Sequence, residues 1–192
     1  MDFDRNLLIL DLDETLIHST ETELEYSAKF KVDRYYVYPR PNLQPFLKFC
    51  FKNFRVAVWT ASTRDYAQPI IDRIFPNTQN LAFFWSNDRC TLKFNWQTGE
   101  SQFIKDLKKV KKRGYPLEKI LFVDDCPENL VRQYSNLIQI QPFLGDRNEI
   151  ELKFLTAYLS RFVEVENVRP IEKRNWRDRV RNAIDSTHQT PV

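Results

Sequence analysis

The apolar residues of the chain are grouped in short, unbroken runs rather than in strict alternation with polar ones. The runs that we predict as strands are residues 7–10, 56–59, 81–85, 120–123 and 137–140. Strands that read as continuous apolar runs are typical of a parallel sheet with both faces covered. The pattern therefore predicts a parallel sheet in the centre of the molecule.

Helical spacing fills the intervals between these runs. Two stripes with helical periodicity are Leu43, Phe46, Leu47, Cys50 and Phe51, and then Tyr66, Ile70, Ile71 and Ile74. Further helices are predicted over residues 105–113, 127–133 and 148–161. Strands that alternate with helices predict an α/β fold, a doubly wound Rossmann-like parallel sheet whose ligands bind beyond the carboxyl ends of the strands.

Three stretches do not follow this alternation. Residues 26–38 are rich in aromatic and β-branched side chains and predict a small β flap, and residues 87–102 predict a hairpin with its turn at Thr98-Gly99. The segment after Phe162 mixes apolar and charged residues, so it is either an amphipathic helix docked on the body or a frayed tail. We therefore predict one domain over residues 1–162, followed by a basic C-terminal tail over residues 163–192.

Composition excludes several classes of protein. With 192 residues, 42% hydrophobic and 29% charged, the chain fits one globular domain, and no apolar run is long enough to span a bilayer. The acidic start argues against a signal peptide, and three cysteines without a CxxC pair indicate a reducing, intracellular compartment, cytoplasmic or nuclear. The net charge of +3 is confined to the segment from Arg169 onward, which argues against a nucleic-acid-binding body.

Pairs of carboxylates follow two of the predicted strands. Asp11 and Asp13 come directly after the first strand, and Asp124 and Asp125 follow the fourth. On adjacent parallel strands all four would share one cavity, where their mutual repulsion calls for a cation. Hard oxygen ligands without histidine or cysteine favour Mg²⁺, so the sequence predicts a magnesium site at this edge of the sheet.

A third strand end carries groups suited to an anion. Thr60, Ala61 and Ser62 offer hydroxyls and backbone amides where a loop enters a helix, and Lys105 offers a point charge. Together with Mg²⁺ these groups fit a phosphate. No Ser/His/Asp arrangement or reactive cysteine pattern is visible, so the nucleophile would be a carboxylate that forms an aspartyl phosphate.

Four motifs in order resemble those of the haloacid dehalogenase superfamily. They are Asp11-Leu-Asp-Glu-Thr-Leu-Ile-His18, Trp59-Thr-Ala-Ser62, Phe103-Ile-Lys-Asp-Leu107 and Val123-Asp-Asp-Cys-Pro127. Within that superfamily the chain is similar to the FCP1-homology branch, the phosphatases of the RNA polymerase II C-terminal domain and their small relatives. The likeness extends from about Asn6 to Phe162.

The resemblance implies a role for each matching residue. Asp11 would attack phosphorus and bind Mg²⁺, and Asp13 would protonate the leaving oxygen, activate water and give its carbonyl to the metal. Thr60 and Ala61 would hold the phosphoryl group and Lys105 would neutralise it. Asp125 would complete the metal ligands, and Asp124 would orient Lys105 or a metal-bound water. These positions are Asp11, Asp13, Thr60, Ala61, Lys105, Asp124 and Asp125.

The implied activity is that of a Mg²⁺-dependent protein serine/threonine phosphatase acting on a phosphorylated protein or peptide. Two alternatives stay open: a small-molecule phosphatase with the same machinery, and a non-catalytic binding module like the mitochondrial import-receptor members of this branch. The chain departs from the branch at Asn87-Asp88-Arg89-Cys90, where relatives often carry Arg-Glu-x-Cys, and at Cys126, where they often carry serine.

Other residues near the motifs have simpler explanations. Cys50 is expected in the core, and Cys126 is expected to be a small buried filler because nearby anions raise a thiol pKa. His18 is expected to position the flap, since Asp13 already supplies the acid and base. For Arg40 two alternatives stay open, contact with the loops of the site or the start of a helix.

Overall fold

The computed structural model describes residues 5–75, 77–96 and 99–188. Its strands are β1 (Leu7–Leu10), β2 (Ile17–Thr20), β3 (Phe30–Val32), β4 (Tyr35–Pro39), β5 (Arg55–Trp59), β6 (Phe84–Trp85), β7 (Thr91–Asn95), β8 (Glu100–Ile104), β9 (Ile120–Asp124) and β10 (Leu137–Gln139). Its α-helices are α1 (Leu43–Asn53), α2 (Arg64–Ile74), α3 (Lys108–Lys111), α4 (Glu151–Leu159) and α5 (Trp176–His188).

The central sheet has five parallel strands in the order β10-β9-β1-β5-β6. Successive residues of β1 are all buried, but they face opposite sides: Leu8 and Leu10 belong to one apolar cluster, and Leu7 and Ile9 to the other. Burial on both faces explains why the strand reads as an unbroken apolar run.

Helices cover both faces of this sheet. The larger cluster receives the apolar stripes of α1, α2, α4 and α5, and the smaller one receives α3 and the turns around Tyr115 and Leu130. The predicted doubly wound α/β fold is therefore confirmed. Because β1 lies between β9 and β5, the loops that follow these three strands meet at one edge of the sheet.

Two small antiparallel sheets are added to this core. The predicted flap is the hairpin of β3 and β4, and β2 joins it to give the order β2-β4-β3. The predicted hairpin over residues 87–102 is the two-stranded sheet of β7 and β8. Of its predicted turn, Gly99 has the left-handed φ of 73°, and Thr98 lies outside the described residues.

In the C-terminal segment, residues 163–175 are irregular and are followed by α5, which is docked on the body. Trp176 of α5 is buried, and its indole nitrogen donates a hydrogen bond of 2.8 Å to the carbonyl oxygen of Gln139. Arg177 forms an ion pair with Glu151 of α4. The division of the chain at residue 162 stays a prediction.

Several element boundaries differ from those predicted. The helix predicted over 105–113 is confined to α3, because the backbone amide of Lys105 is bonded to the carbonyl of Asn129 at 2.7 Å. The helix predicted over 127–133 is a 3₁₀ turn at Pro127–Leu130, and the one over 148–161 is α4 followed by a 3₁₀ turn. The strand predicted over 81–85 is shorter, since only β6 pairs as a strand with β5.

Candidate active site

Lys105 is the centre of the site. Its side chain is fully buried, and Nζ lies 2.6 Å from Asp11 Oδ1 and 2.8 Å from Asp124 Oδ2. The two carboxylates come from the ends of the adjacent strands β1 and β9, whereas Lys105 follows β8. The fold therefore brings Asp11 together with two charged residues that lie more than ninety positions later in the chain.

Asp124 is held in place by more than this ion pair. Its Oδ1 accepts a hydrogen bond of 2.9 Å from the backbone amide of Cys126, and the side-chain amide of Asn129 donates to it at 3.2 Å. Hydrogen bonds of this kind compensate a buried carboxylate for the water it has lost. The orientation of Asp124 toward Lys105 is thus fixed by the turn that follows β9.

Burial and crowding dominate the electrostatics of the cluster. Burial raises the pKa of Asp11 well above its usual value, Asp124 adds to the increase, and Lys105 opposes it. Burial also raises the pKa of Asp125, again with a contribution from Asp124. For Lys105 burial acts to lower the pKa, but the two carboxylates outweigh it and keep the ammonium group charged.

The carboxylates are arranged so that they could hold a metal ion. Asp11, Asp124 and Asp125 each offer one oxygen, and these atoms lie within 4.8 Å of one another. The hydroxyl of Thr15 donates a hydrogen bond of 3.1 Å to Asp125 Oδ1, which orients this third carboxylate. A divalent cation would compensate these carboxylates for burial and relieve the repulsion from Asp124, the two causes that raise the pKa values of Asp11 and Asp125.

The side chain of Asp13 is separate from this cluster. Its Oδ2 accepts hydrogen bonds from Ser62 Oγ at 2.7 Å and from Thr60 Oγ1 at 3.3 Å, and its Oδ1 accepts one from the Tyr66 hydroxyl at 2.6 Å. Among the predicted metal ligands, Asp13 is thus the one whose carboxylate points to the loop after β5.

The loop after β5 lies beside the carboxylates, as its position on the neighbouring strand predicts. The backbone amide of Thr60 is engaged with the carbonyl of Trp85 at 3.0 Å, and the amide of Ser62 is bonded to Thr60 Oγ1 at 3.0 Å. The amides of Thr60 and Ser62 therefore already have hydrogen-bond partners. Ala61, which lies between them, lines the cavity in front of Asp13.

That cavity separates the strand ends from the flap. It has a volume of about 780 Å³. One wall carries Asp13, Ala61, Ser62 and Tyr66, and the opposite wall carries flap residues from Val32 to Tyr35. The rings of Tyr35 and Tyr66 meet edge to face with centroids 5.2 Å apart. The flap therefore forms a side of the cavity that leads to Asp13.

Arg40 supports the loop that carries the first motif. Its side chain is fully buried and forms a bidentate ion pair with Glu149, at 2.8 and 2.9 Å. Nη1 donates to the carbonyl oxygen of Thr15 at 2.9 Å, and Nη2, which also bonds Glu149, donates to that of Gln141 at 2.8 Å. Of the two alternatives for Arg40, contact with the loops of the site is the one observed.

Tyr66 and Asn129 are site residues that the sequence analysis did not single out. Tyr66 fell on an apolar stripe, and its hydroxyl is visible only once α2 faces Asp13. Burial, with Asp13 nearby, raises the pKa of Tyr66 above its usual value, so the phenol stays protonated and donates. Asn129 lies in a predicted helix, and a single asparagine near the fourth motif gives no signal of its own.

His18 lies on β2 with its ring between Tyr38 and Phe143. Its Nδ1 lies 2.9 Å from a carboxylate oxygen of Glu14, which has a left-handed φ of 54°. Burial raises the pKa of Glu14, and the bond to His18 opposes that increase. His18 thus links the first motif to the flap sheet, as expected.

The three cysteines are free. Cys50 is fully buried on α1, as expected. The expectation that Cys126 is buried is wrong, since its side chain is partly exposed where the chain leaves β9. Partial burial, together with a bond to Glu128 and the charge of Asp124, raises its pKa to about 11. No helix in the described ranges is both long and apolar enough to cross a membrane.

The chain was compared with known protein families and with curated proteins. The family model described as NLI interacting factor-like phosphatase matches residues 6–169. The "Putative CTD phosphatase-like protein 355R" of Invertebrate iridescent virus 3 is 31% identical over 183 residues, which cover 82% of this chain and 97% of the viral protein. The "CTD small phosphatase-like protein 2" of Dictyostelium discoideum is 31% identical over 170 residues, which cover 85% of this chain but only 28% of that protein.

Solved structures share the fold. The fission yeast RNA polymerase II CTD phosphatase Fcp1, in a variant bound to beryllium fluoride, superposes with a TM-score of 0.56 at 18% identity. The superposition covers 99% of this chain and 58% of that one. An uncharacterized protein from Listeria monocytogenes gives a TM-score of 0.55 at 14% identity, over 83% of this chain and 99% of that one.

The family match agrees with the four motifs and confirms the resemblance to the FCP1-homology branch. The solved structures agree with the doubly wound sheet. The chain therefore belongs to the NLI interacting factor-like phosphatases, the FCP1-homology branch of the haloacid dehalogenase superfamily.

Proposed function

We propose that the protein is a Mg²⁺-dependent phosphomonoester hydrolase that acts through an aspartyl phosphate on Asp11, and that its substrate is phosphoserine or phosphothreonine in a protein. The observation that carries this proposal is the contact of the buried Lys105 ammonium with both Asp11 and Asp124, beside Asp125. A fixed cation and a set of carboxylates that can bind a metal are what phosphoryl transfer from a dianionic ester requires.

The donor set fits Mg²⁺. All three candidate side-chain ligands are carboxylates, and the described part of the cluster includes no histidine or cysteine ligand. Asp11 and Asp125 would supply side-chain oxygens, and Asp13 would supply its backbone carbonyl because its carboxylate is engaged elsewhere. When bound, the cation would neutralise charge on the phosphoryl oxygens.

The first chemical step belongs to Asp11. One of its carboxylate oxygens attacks phosphorus, an Asp11–phosphorus bond forms, and the bond from phosphorus to the ester oxygen breaks. The leaving oxygen takes a proton from Asp13, whose side chain faces the cavity through which that oxygen would depart. Lys105 holds the phosphoryl charge while Asp124 keeps the ammonium in position.

The second step returns the enzyme to its starting state. Asp13, now a carboxylate, accepts a proton from a water molecule as that water attacks phosphorus. The bond to Asp11 breaks, and phosphate leaves. Ser62, Thr60 and Tyr66 donate to the two oxygens of Asp13 and hold its side chain in one orientation through both steps.

The lining of the cavity favours a peptide. Besides charged side chains it includes the aromatic and apolar side chains of Val32, Tyr35 and Tyr66, which could contact residues beside a phosphoserine or phosphothreonine. Several relatives are named as phosphatases of the polymerase C-terminal domain or as similar to them, which is in keeping with a protein substrate.

The experiment compares Asp11→Asn with Asp13→Asn on an activated aryl phosphate in Mg²⁺ buffer. Asp11→Asn should form no phosphoenzyme, because an amide is a far poorer nucleophile. Asp13→Asn should complete the first step, since an aryl leaving group needs little protonation, and then accumulate phosphoenzyme. Intact-protein mass spectrometry would detect the gain of one phosphoryl group.

Controls make the result interpretable. Wild-type activity should be lost with a chelator and return with Mg²⁺, and a phosphoserine peptide should exceed small phosphate esters in kcat/KM by roughly ten-fold, about 1.4 kcal/mol. Wild-type turnover by folded Asp11→Asn in the presence of Mg²⁺ would remove Asp11 as the nucleophile, and with it this proposal.

A further inference from the structure

A second cavity borders the turn after β6, which also contributes Asn87 to the cavity in front of Asp13. It has a volume of about 530 Å³ and is lined by Trp85, Asp88, Arg89, Lys109, Lys112 and Arg113. We call it the basic cavity. Four of its six lining residues are cations, and they come from two separate segments, the turn after β6 and the region of α3.

The cations of the basic cavity are largely unneutralised. Its one carboxylate, Asp88, forms an ion pair of 3.5 Å with Arg89 and accepts a hydrogen bond from Ser86. Within the described part of the chain, no carboxylate forms an ion pair with Lys109, Lys112 or Arg113. Like charges in one concavity repel one another, so an anion bound there would be favoured.

Aromatic rings and backbone carbonyls fix several of these side chains. The guanidinium of Arg113 lies 5.0 Å from the ring centre of Phe83 and 5.7 Å from that of Trp85, and Arg89 lies 5.7 Å from Trp85. Lys109 Nζ donates to the carbonyl of Arg89 at 2.8 Å. Side chains already held in one place lose little entropy when a ligand binds.

The turn after β6 connects the basic cavity to the candidate active site. The carbonyl of Trp85 accepts a hydrogen bond from the amide of Thr60, and the amide of Asn87 donates to the carbonyl of Ser62, each at 3.0 Å. Asn87 faces the cavity of Asp13, whereas Asp88 and Arg89 face the basic cavity. A peptide chain that crosses this turn would reach both.

We propose that the basic cavity binds anionic side chains, acidic or phosphorylated, of the same peptide whose phosphoserine or phosphothreonine is hydrolysed at Asp11. The inference rests on the proposed function and adds a substrate class to it, phosphopeptides with a second negative group near the reacting one. A single concavity on one side of the site fits a short anionic stretch, whereas a nucleic acid needs cations along an extended track.

The test uses two matched phosphoserine peptides, one with three glutamates beside the phosphoserine and one with three glutamines. The pair is made in two versions, one with the three residues before the phosphoserine and one with them after it. In one of these versions, wild-type protein should turn over the glutamate peptide with a kcat/KM about ten-fold above that of its glutamine partner. The ratio should fall as salt is added, because exposed charges are screened.

The decisive variant is Lys112→Glu with Arg113→Glu, which should reduce this ratio to about one or below. Its matched control is Lys108→Glu with Lys111→Glu, which makes the same charge change on exposed residues of α3 that do not line the basic cavity. The control should retain the wild-type ratio. An equal loss in both variants, or no glutamate preference in the wild type, would overturn the inference.

Two further measurements keep each outcome informative. If circular dichroism shows that the double variant is unfolded, Lys112→Glu is compared with Lys111→Glu. If the wild type hydrolyses neither peptide nor an aryl phosphate, the proposed function fails, and fluorescence anisotropy of the labelled peptides still tests whether the glutamate preference in binding depends on Lys112. If a single-stranded oligonucleotide binds in a way that depends on Lys112, and the peptides show no glutamate preference, the ligand of the basic cavity is a nucleic acid and the inference is wrong.

Discussion

Lys105 and Lys173 are both buried, and their pKa values are shifted in opposite directions. Lys105 is fully buried between Asp11 and Asp124, which raise its pKa in spite of burial. Lys173, in the segment before α5, is 7% exposed, and burial lowers its pKa to about 8 from 10.5.

The difference lies in the partners. Lys173 Nζ donates to two backbone carbonyls, those of Val168 at 2.5 Å and Ile171 at 2.8 Å, which carry no net charge. Carbonyl dipoles satisfy the hydrogen-bonding capacity of an ammonium group but compensate its lost hydration only in part, whereas two carboxylates compensate it fully. Lys105 is therefore held in its charged form, and Lys173 fixes the backbone of the segment before α5.

Arg40 is a third buried cation and stands between these two cases. It has one carboxylate partner, Glu149, and three backbone carbonyl partners, and its planar fork meets them at fixed angles. Its role follows from that geometry: a guanidinium suits several partners in fixed directions, whereas an ammonium is a compact point charge. The three buried cations thus have different surroundings. Lys105 lies between carboxylates of the candidate site, Arg40 supports the loop that carries the first motif, and Lys173 bonds the backbone of its own segment.

The largest effect is expected from Lys105→Met. The variant removes the charge that would bind the phosphoryl group, and we expect kcat/KM on an aryl phosphate to fall by at least about 10³-fold. The matched control is Lys108→Met, an exposed lysine three positions later, which should retain wild-type activity.

The interpretation of Lys105→Met needs the folded state to be checked, because two buried carboxylates lose their partner. Circular dichroism and a thermal melt with Mg²⁺ present would show whether the variant is folded at the assay temperature. A folded Lys105→Met with wild-type kcat/KM would mean that Lys105 differs from Lys173 in charge state only and not in function.

The next effect is on stability rather than on chemistry. Arg40→Met leaves Glu149 without its partner and leaves the carbonyls of Thr15 and Gln141 without a donor. We expect the free energy of unfolding in urea to fall by about 3 kcal/mol. Arg34→Met, which breaks the exposed ion pair with Glu21, should cost less than about 0.5 kcal/mol. Equal losses in both variants would contradict the role given to Arg40.

The sequence could predict the carboxylate cluster because its acidic residues directly follow apolar runs. In a parallel sheet the carboxyl ends of adjacent strands meet, so Asp11 and Asp124 were expected to be neighbours once β1 and β9 were adjacent. The motif order supplied Lys105 as well, although it lies at the start of a lysine-rich segment that reads as a solvated surface.

The supporting residues could not be predicted in the same way, because their partners are distant in the chain. Arg40 and Glu149 are 109 positions apart, and no periodicity links them. Tyr66 has the spacing of a core residue, and only the packing of α2 beside the strand ends brings its hydroxyl to Asp13. Residue type and local spacing carry no information about such contacts.

Some of the predicted element boundaries were wrong for a related reason. A helix predicted over residues 105–113 agrees with local propensity, but the backbone of Lys105 is bonded to Asn129, and Asp106 accepts a hydrogen bond from the amide of Lys108 at 3.0 Å. The helix therefore begins after the site residue. Tertiary contacts that position Lys105 override the propensity of its segment.

The smallest effect is expected from Lys173→Met, and it is a dependence of stability on pH. Between pH 8 and 10.5 the unfolded state binds more protons at Lys173 than the folded state does. Its contribution to the free energy of unfolding is therefore least favourable below pH 8 and improves as pH rises toward 10.5. Methionine has no such proton, so the variant lacks this component.

The measurement is the difference in free energy of unfolding between wild type and Lys173→Met at pH 7 and at pH 10. Other lysines and tyrosines titrate in this interval, but they do so in both proteins and cancel in the difference. We expect the wild type to gain about 1 kcal/mol relative to the variant, less than the full pKa shift implies because water screens part of the charge. A difference that stays constant from pH 7 to pH 10 would show that Lys173 keeps an ordinary pKa, and the contrast with Lys105 would then rest on Lys105 alone.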